Sequence, residues 1–209
     1  MKSFKELFNT ILTADKDESR KASREVRKLL YSSHYDRNSS FNDMGLIIQN
    51  APVEYTKIKE EFRQENFAVA ISVIYYLHNR DDKPDFLFPW LFELLKHDNG
   101  NIRQAARRMI SHEFGPLTYH IRFPGQKPSF GDLAPEIADD ILYRLFMILR
   151  NFINALWQPK YNRFKYIHSL PAGTFKTTQL ILNDLEDFCG EEYVKKLEYN
   201  QVGIPSPFL

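Results

Sequence analysis

Phe88-Pro89-Trp90-Leu91-Phe92-Glu93-Leu94-Leu95-Lys96-His97, then Asp98-Asn99-Gly100, then Asn101-Ile102-Arg103-Gln104-Ala105-Ala106-Arg107-Arg108-Met109-Ile110 is the stretch on which the fold turns. Leu91, Phe92, Leu94 and Leu95 recur at the three- and four-residue spacing of one helical face. Pro84 and Asp85 open this helix, and Pro89 falls in its early turns, where a missing N–H costs least. Asp98-Asn99-Gly100 is a tight turn, because Asp and Asn side chains bond their own backbone and Gly adopts angles closed to other residues. Asn101 is placed to cap a second helix that turns Ile102, Ala105, Ala106, Met109 and Ile110 inward. The unit is therefore two helices folded back on each other.

Working outward toward the N-terminus, residues 66–79 carry Phe67, Ala70, Ile71, Ile74, Tyr75 and Leu77. The β-branched run from Val69 to Ile74 would also suit a strand, but length and neighbours favour helix. Residues 53–64 read as a charged helix, and Phe41, Met44, Ile47 and Ile48 as a short one closed by Pro52, with Gly45 weakening it. Before a polar loop at 32–40, Asp15 or Asp17 starts a helix with Ala22, Val26, Leu29 and Leu30 inward, and Ser3 caps a first helix bearing Phe4, Leu7, Phe8, Ile11 and Leu12. Toward the C-terminus, residues 115–132 are rich in Pro, Gly and aromatics and read as an irregular connection, with 119–123 its only extended-looking piece. A long apolar helix over 135–157, a loop over 159–173, and helices over 174–188 and 191–199 complete the pass. The expected organisation is one all-α domain: helical pairs over 1–114, an irregular loop over 115–134, C-terminal helices over 135–202 and a tail over 203–209.

Composition narrows the function classes. Lys+Arg 28 against Asp+Glu 27 leaves a formal charge of +1, so no global field draws the chain to nucleic acid or an anionic membrane, and any such contact must be a local patch. A single cysteine, Cys189, excludes an intramolecular disulfide framework and a multi-cysteine zinc site, which fits a reducing, cytoplasmic setting. The opening Met1-Lys2-Ser3-Phe4-Lys5-Glu6 has charges where a signal peptide needs an apolar run. The most apolar stretch, 137–157, is interrupted by Asp139, Asp140, Arg144 and Arg150, which makes it a core helix and not a membrane span.

The stretch 88–110 resembles a HEAT repeat. In that family a first helix ends in paired leucines, an Asp/Pro/Asn/Gly turn follows, and the second helix opens on an aliphatic-Arg pair and small alanines; Leu94-Leu95, Ile102-Arg103 and Ala105-Ala106 stand at the matching places. Alanines let helices approach closely, and the arginine can brace the turn through hydrogen bonds. The family commonly has an aspartate two residues after the second leucine, where this chain has His97 followed by Asp98. The resemblance covers about a ninth of the chain and implies a short HEAT-like α-α superhelix, or an irregular helical array with long loops. It also implies the function most often built on such arrays, a non-catalytic scaffold offering a groove to a protein or peptide.

Two clusters are candidate binding residues. Arg20, Lys21, Arg24, Arg27 and Lys28, with Arg103, Arg107 and Arg108, line a phosphate-binding face if their helices lie side by side; the alternative is a solvated face balanced by Asp17, Glu18 and Glu25. Tyr119, Phe123, Phe130, Tyr161, Phe164 and Tyr166, interleaved with Arg122 and Arg163, suit a protein interface or stacked single-stranded bases; the alternative is that they pin long loops to the core. Some HEAT-like proteins are DNA glycosylases that remove alkylated bases, and Trp90 with Glu93 or Asp98 comes nearest to their aromatic and acidic groups, although no motif carries over. His112-Glu113 with His120 lacks the helical spacing of a metal pair, and Gly173-Thr174-Phe175-Lys176-Thr177 lacks the glycine spacing of a phosphate loop. No catalytic residue, metal ligand or cofactor is assigned.

Overall fold

The computed structural model describes residues 3–31, 37–77, 87–126, 133–154 and 173–199. Within them the fold is all-α: α1 (Phe4–Thr13), α2 (Lys16–Leu30), α3 (Arg37–Lys57), α4 (Glu61–Ile74) with a 3-10 turn at Tyr75–Leu77, α5 (Phe88–Lys96), α6 (Gly100–Leu117), α7 (Tyr119–Arg122), α8 (Pro135–Asn154), α9 (Thr174–Cys189) and α10 (Glu191–Glu198). No helix among the described residues is long and apolar enough to cross a membrane.

Local chemistry sets the helix starts. Ser3 and Glu6 form a capping box, each side chain accepting from the other's backbone N–H. Asp15 caps α2 by accepting from the N–H groups of Asp17 and Glu18 at 3.0 and 2.9 Å. The cap of α6 is Asn99 and not Asn101: its side-chain oxygen accepts from Asn101 N–H at 2.9 Å, so Gly100 already lies inside the helix. Asn101 instead donates to Glu65 on α4, as does Asn99, both at 2.8 Å.

Helices α1 and α2 pair, as do α3 and α4, α5 and α6, and α8 and α9. The second members then pack in sequence, α2 on α4, α4 on α6 and α6 on α9. Buried small side chains allow this row: Ser19, Ala22 and Ser23 on α2, Ala68 and Ala70 on α4, Ala105 and Ala106 on α6. Polar groups in the row are satisfied in a relay. Ser23 donates to the Asn66 carbonyl at 2.9 Å, Asn66 Nδ2 donates to Ser19 Oγ at 3.0 Å, and Ser19 donates to the Ile11 carbonyl at 2.9 Å. Larger side chains fill the space between the two layers, with Phe8 edge-on to Phe67 at 5.8 Å and Tyr55 edge-on to Trp90 at 5.7 Å.

Four further expectations need correcting, the first being the polar loop over 32–40, whose residues 37–40 already belong to α3. Helix α3 does not close at Pro52 but runs from Arg37 to Lys57 with Pro52 inside it, and α4 begins at Glu61, so no separate charged helix spans 53–64. Burial of Met44, Ile48 and Ala51 on one side of the proline and Ile58 on the other holds the helix through the lost hydrogen bond, against a penalty of about 3 kcal/mol. The stretch expected to be irregular from residue 115 continues α6 to Leu117, because Glu113, Phe114 and Leu117 are buried. Residues 119–123, expected to be extended, form the single turn α7 and its exit. Pro84 and Asp85 lie outside the described residues, as do the loop over 159–172 and the tail.

The Arg103 brace is formed. Its Nη1 donates to the carbonyls of His97 and Asp98 at 2.7 and 2.6 Å, and the side chain is 4% exposed. His97 departs from the repeat pattern without loss, since its Nδ1 accepts the Asn99 N–H at 3.0 Å and so helps to close the turn. Arg103→Ala is expected to cost about 2 kcal/mol by stripping a charged donor from two carbonyls, a fall in Tm of roughly 4–8 °C by calorimetry. Gly45→Ala should do the reverse: a Cβ there meets nothing within 4 Å, so the substitution is expected to raise stability by about 0.5–1 kcal/mol in chemical denaturation.

Candidate interaction surface

Helix α6 ends at Thr118, whose buried hydroxyl donates back to the Phe114 carbonyl at 2.6 Å, and the chain turns at once into α7. That turn puts Tyr119 and Phe123 on one side with ring centroids 5.0 Å apart. Arg122 is fixed between elements: its Nε donates to Thr118 Oγ1 at 3.0 Å and its Nη2 to the Gly115 carbonyl at 2.8 Å. Its guanidinium carbon lies 5.1 Å from the Phe123 ring centre and 5.6 Å from that of Phe188 on α9. Phe188 is in turn packed 5.6 Å from Phe114. Phe123 remains 39% exposed and Arg122 is exposed, so a rigid aromatic and cationic surface faces solvent.

Beneath it lies a joint of three helices. Asp139 on α8 accepts from His120 Nε2 of α7 at 2.9 Å, and the same oxygen accepts from the Tyr193 hydroxyl of α10. Burial alone would raise the Asp139 carboxyl, but the hydrogen bonds from His120 and Tyr193 and the facing imidazole outweigh it and hold the group below its ordinary value. Burial, then the Asp139 contact, pushes the Tyr193 hydroxyl upward. Cys189, at the end of α9, is pushed up to about 12 by burial first and by the Asp139 charge second, against a smaller pull from Arg122. At neutral pH it is therefore a buried thiol and not a nucleophile. Gly190 follows with φ of +81°, a backbone setting open to glycine, and turns the chain into α10.

Of the aromatic cluster read from the sequence, Tyr119, Arg122 and Phe123 meet; Phe130, Tyr161, Arg163, Phe164 and Tyr166 lie outside the described residues. The basic cluster is divided. Arg103 is spent on the α5–α6 turn, and Arg107 is clasped by Asp184 of α9 through Nε and Nη2, both at 3.1 Å, with Ser111 on the same carboxylate. Arg20, Lys21, Arg24, Arg27, Lys28 and Arg108 are exposed. Within α2, acidic residues occupy the first turn and Arg27 and Lys28 the last, the arrangement that complements the helix dipole. Trp90 is buried against Tyr55. His112 sits beside Tyr76 while His120 is held by Asp139, and no group of three or more metal-ligating side chains occurs among the described residues.

Asp139, Tyr193 and Asp184 were not found from the sequence. Their partners are 19, 54 and 77 residues away, and no motif marks a contact across such separations. No family model, curated protein or solved structure matches this chain.

Because the folded Asp139 carboxyl is depressed, its contribution to stability is present above the unfolded value of about 3.9 and is lost as pH falls through the folded value. Asp139→Asn is expected to lower Tm near neutral pH and to flatten the acid limb of the Tm profile below about pH 4; an acid limb unchanged from wild type would show that the joint carries no linkage.

Proposed function

We propose that the chain is a non-catalytic helical interaction module of the HEAT type, a cytoplasmic scaffold that holds a protein or peptide against the α7 surface. The observation that carries this reading is the Tyr119, Arg122 and Phe123 cluster, aromatic and cationic, exposed at its rim and locked from behind by Thr118, Phe188 and the Asp139 joint. Aromatic and Arg side chains supply most of the binding energy at protein interfaces, and anchors already held in place lose little freedom on binding. The HEAT assignment is supported by the helix pair at α5 and α6 with its Arg103 brace, and by the consecutive packing of second helices.

Nucleic-acid binding, including the DNA glycosylase form of it, is the competing reading. It rests on the exposed cations of α2 and on Arg108, and it draws no support from Arg103 and Arg107, which are bound internally, or from Trp90, which is buried. A photo-crosslinking residue at Phe123 is expected to give one discrete protein adduct in cells, absent with the probe at Leu180. Tyr119→Ala and Arg122→Ala should each weaken that partner's affinity by about tenfold or more. In parallel, anisotropy titrations with single- and double-stranded DNA and RNA should show no micromolar binding. Binding that falls with salt and with Arg24→Glu plus Arg108→Glu would place nucleic acid first.

A further inference from the structure

At the other end of the array, a cavity of about 250 Å³ opens where α1, α3 and α4 meet. Phe8, Leu12, Ile47 and Phe67 form its apolar wall. Phe8 and Phe67 stand edge to face at 5.8 Å and are almost fully buried, so they form the floor, and the accessible apolar surface is carried by Leu12, Leu46 and Ile47. Its lip is Leu46, 56% exposed, and Val53, two turns along the same helix, is 58% exposed. Single exposed aliphatic side chains are ordinary, whereas one at the lip of a concave apolar wall, as Leu46 is, extends that wall.

The polar edge of the cavity has a sign. Lys5, Asn50 and Glu54 contribute to it, and the Glu54 carboxylate is already paired with Lys57 at 2.6 Å. Lys5 makes no ion pair among the described residues, so the edge offers an ammonium and the amide N–H groups of Asn50 beside a neutralised carboxylate. An apolar recess with a cation and an amide donor at its mouth complements a ligand with an apolar body and an anionic head. The volume lies below the ~300–1,000 Å³ of sites for drug-sized ligands, which limits the apolar body to a short chain. We propose that this cavity binds a monoanionic single-chain amphiphile, a medium-chain carboxylate in its simplest form, with the chain against Leu12, Leu46 and Ile47 and the head group on Lys5 and Asn50. The site is independent of the α7 surface, and either proposal stands if the other fails.

Decanoate and decyltrimethylammonium share a tail length and differ in head-group charge. Each is titrated into the full chain and followed by calorimetry and by methyl NMR of Leu12, Leu46 and Ile47, with Leu149 and Leu185 as distant references. Decanoate is expected to saturate, to shift the three near methyl groups and spare the two distant ones, and to bind about tenfold more tightly than the cation. Lys5→Glu folds as well as the wild type, since Lys5 is exposed in the first turn of α1 where a carboxylate suits the helix end. This variant should reverse the order of the two ligands while leaving the thermal transition in place. Leu46→Gln, an exposed change, should weaken decanoate with no effect on folding. No saturable decanoate binding below about 1 mM, equal binding of the two ligands, indifference to Lys5→Glu, or shifts centred on Leu149 and Leu185 would each overturn the proposal.

Discussion

Helices approach closely only where the side chains between them are small, and any polar atom caught in so tight a contact must find its partner there. The row formed by α2, α4 and α6 meets both conditions, with Ser19, Ala22, Ser23, Ala68, Ala70, Ala105 and Ala106 buried and the polar ones joined through Asn66 to the Ile11 carbonyl. Everything else is hung on this row. Helices α1, α3 and α5 each pack against a member of it, and α9 extends it and carries α8 and α10. A large side chain at Ala68 or Ala106, both fully buried, would force the neighbouring helices of the row apart.

Arginine is the second structural device. Arg63 donates to the Ala14 carbonyl at 2.9 Å and so reaches the residue that ends α1. Arg103 closes the α5–α6 turn, Arg107 ties α6 to α9, and Arg122 ties α7 to the end of α6. A planar guanidinium with several fixed donors can serve two carbonyls or both oxygens of one carboxylate, which a lysine ammonium does less well. Four of the cations that give the sequence its basic appearance are thus struts, and a count of positive residues overstates the surface available to phosphate. Of the cations exposed on α2, Arg27 and Lys28 are matched to its own helix dipole.

The parts of the fold legible in the sequence are those decided within one helix turn. Ser3 and Asp15 cap where a short polar side chain precedes an amphipathic run, and Leu94-Leu95, Ile102-Arg103 and Ala105-Ala106 do what their spacing indicates. Pro52 and the Gly115-Pro116 pair misled because their local penalty of a few kcal/mol is set against burial that only tertiary packing supplies, through Met44, Ile48 and Ala51 in one case and Phe114 and Leu117 in the other. The α7 surface was half legible. Tyr119, Arg122 and Phe123 were marked by composition, but the joint that fixes them depends on Asp139 and Tyr193, whose meeting is a consequence of topology.

The positions of the two proposed sites follow from the same architecture. Among the described residues α5 and α6 expose no large apolar side chain, whereas Tyr31 after α2, Leu46 and Val53 on α3, Tyr76 after α4, and Phe123, Ile137, Leu180 and Tyr199 further along are all exposed. Uncovered apolar surface is where a ligand or a partner can bind. At α3 the sequence offers Lys5 and Asn50 around a recess too small for a helix, and at α7 it offers Arg122 on an exposed aromatic surface. The proposed small-molecule site and the proposed partner surface thus share one chemistry, apolar side chains beside a cation, Lys5 in the first and Arg122 in the second, and the cation chooses the sign of what each would bind.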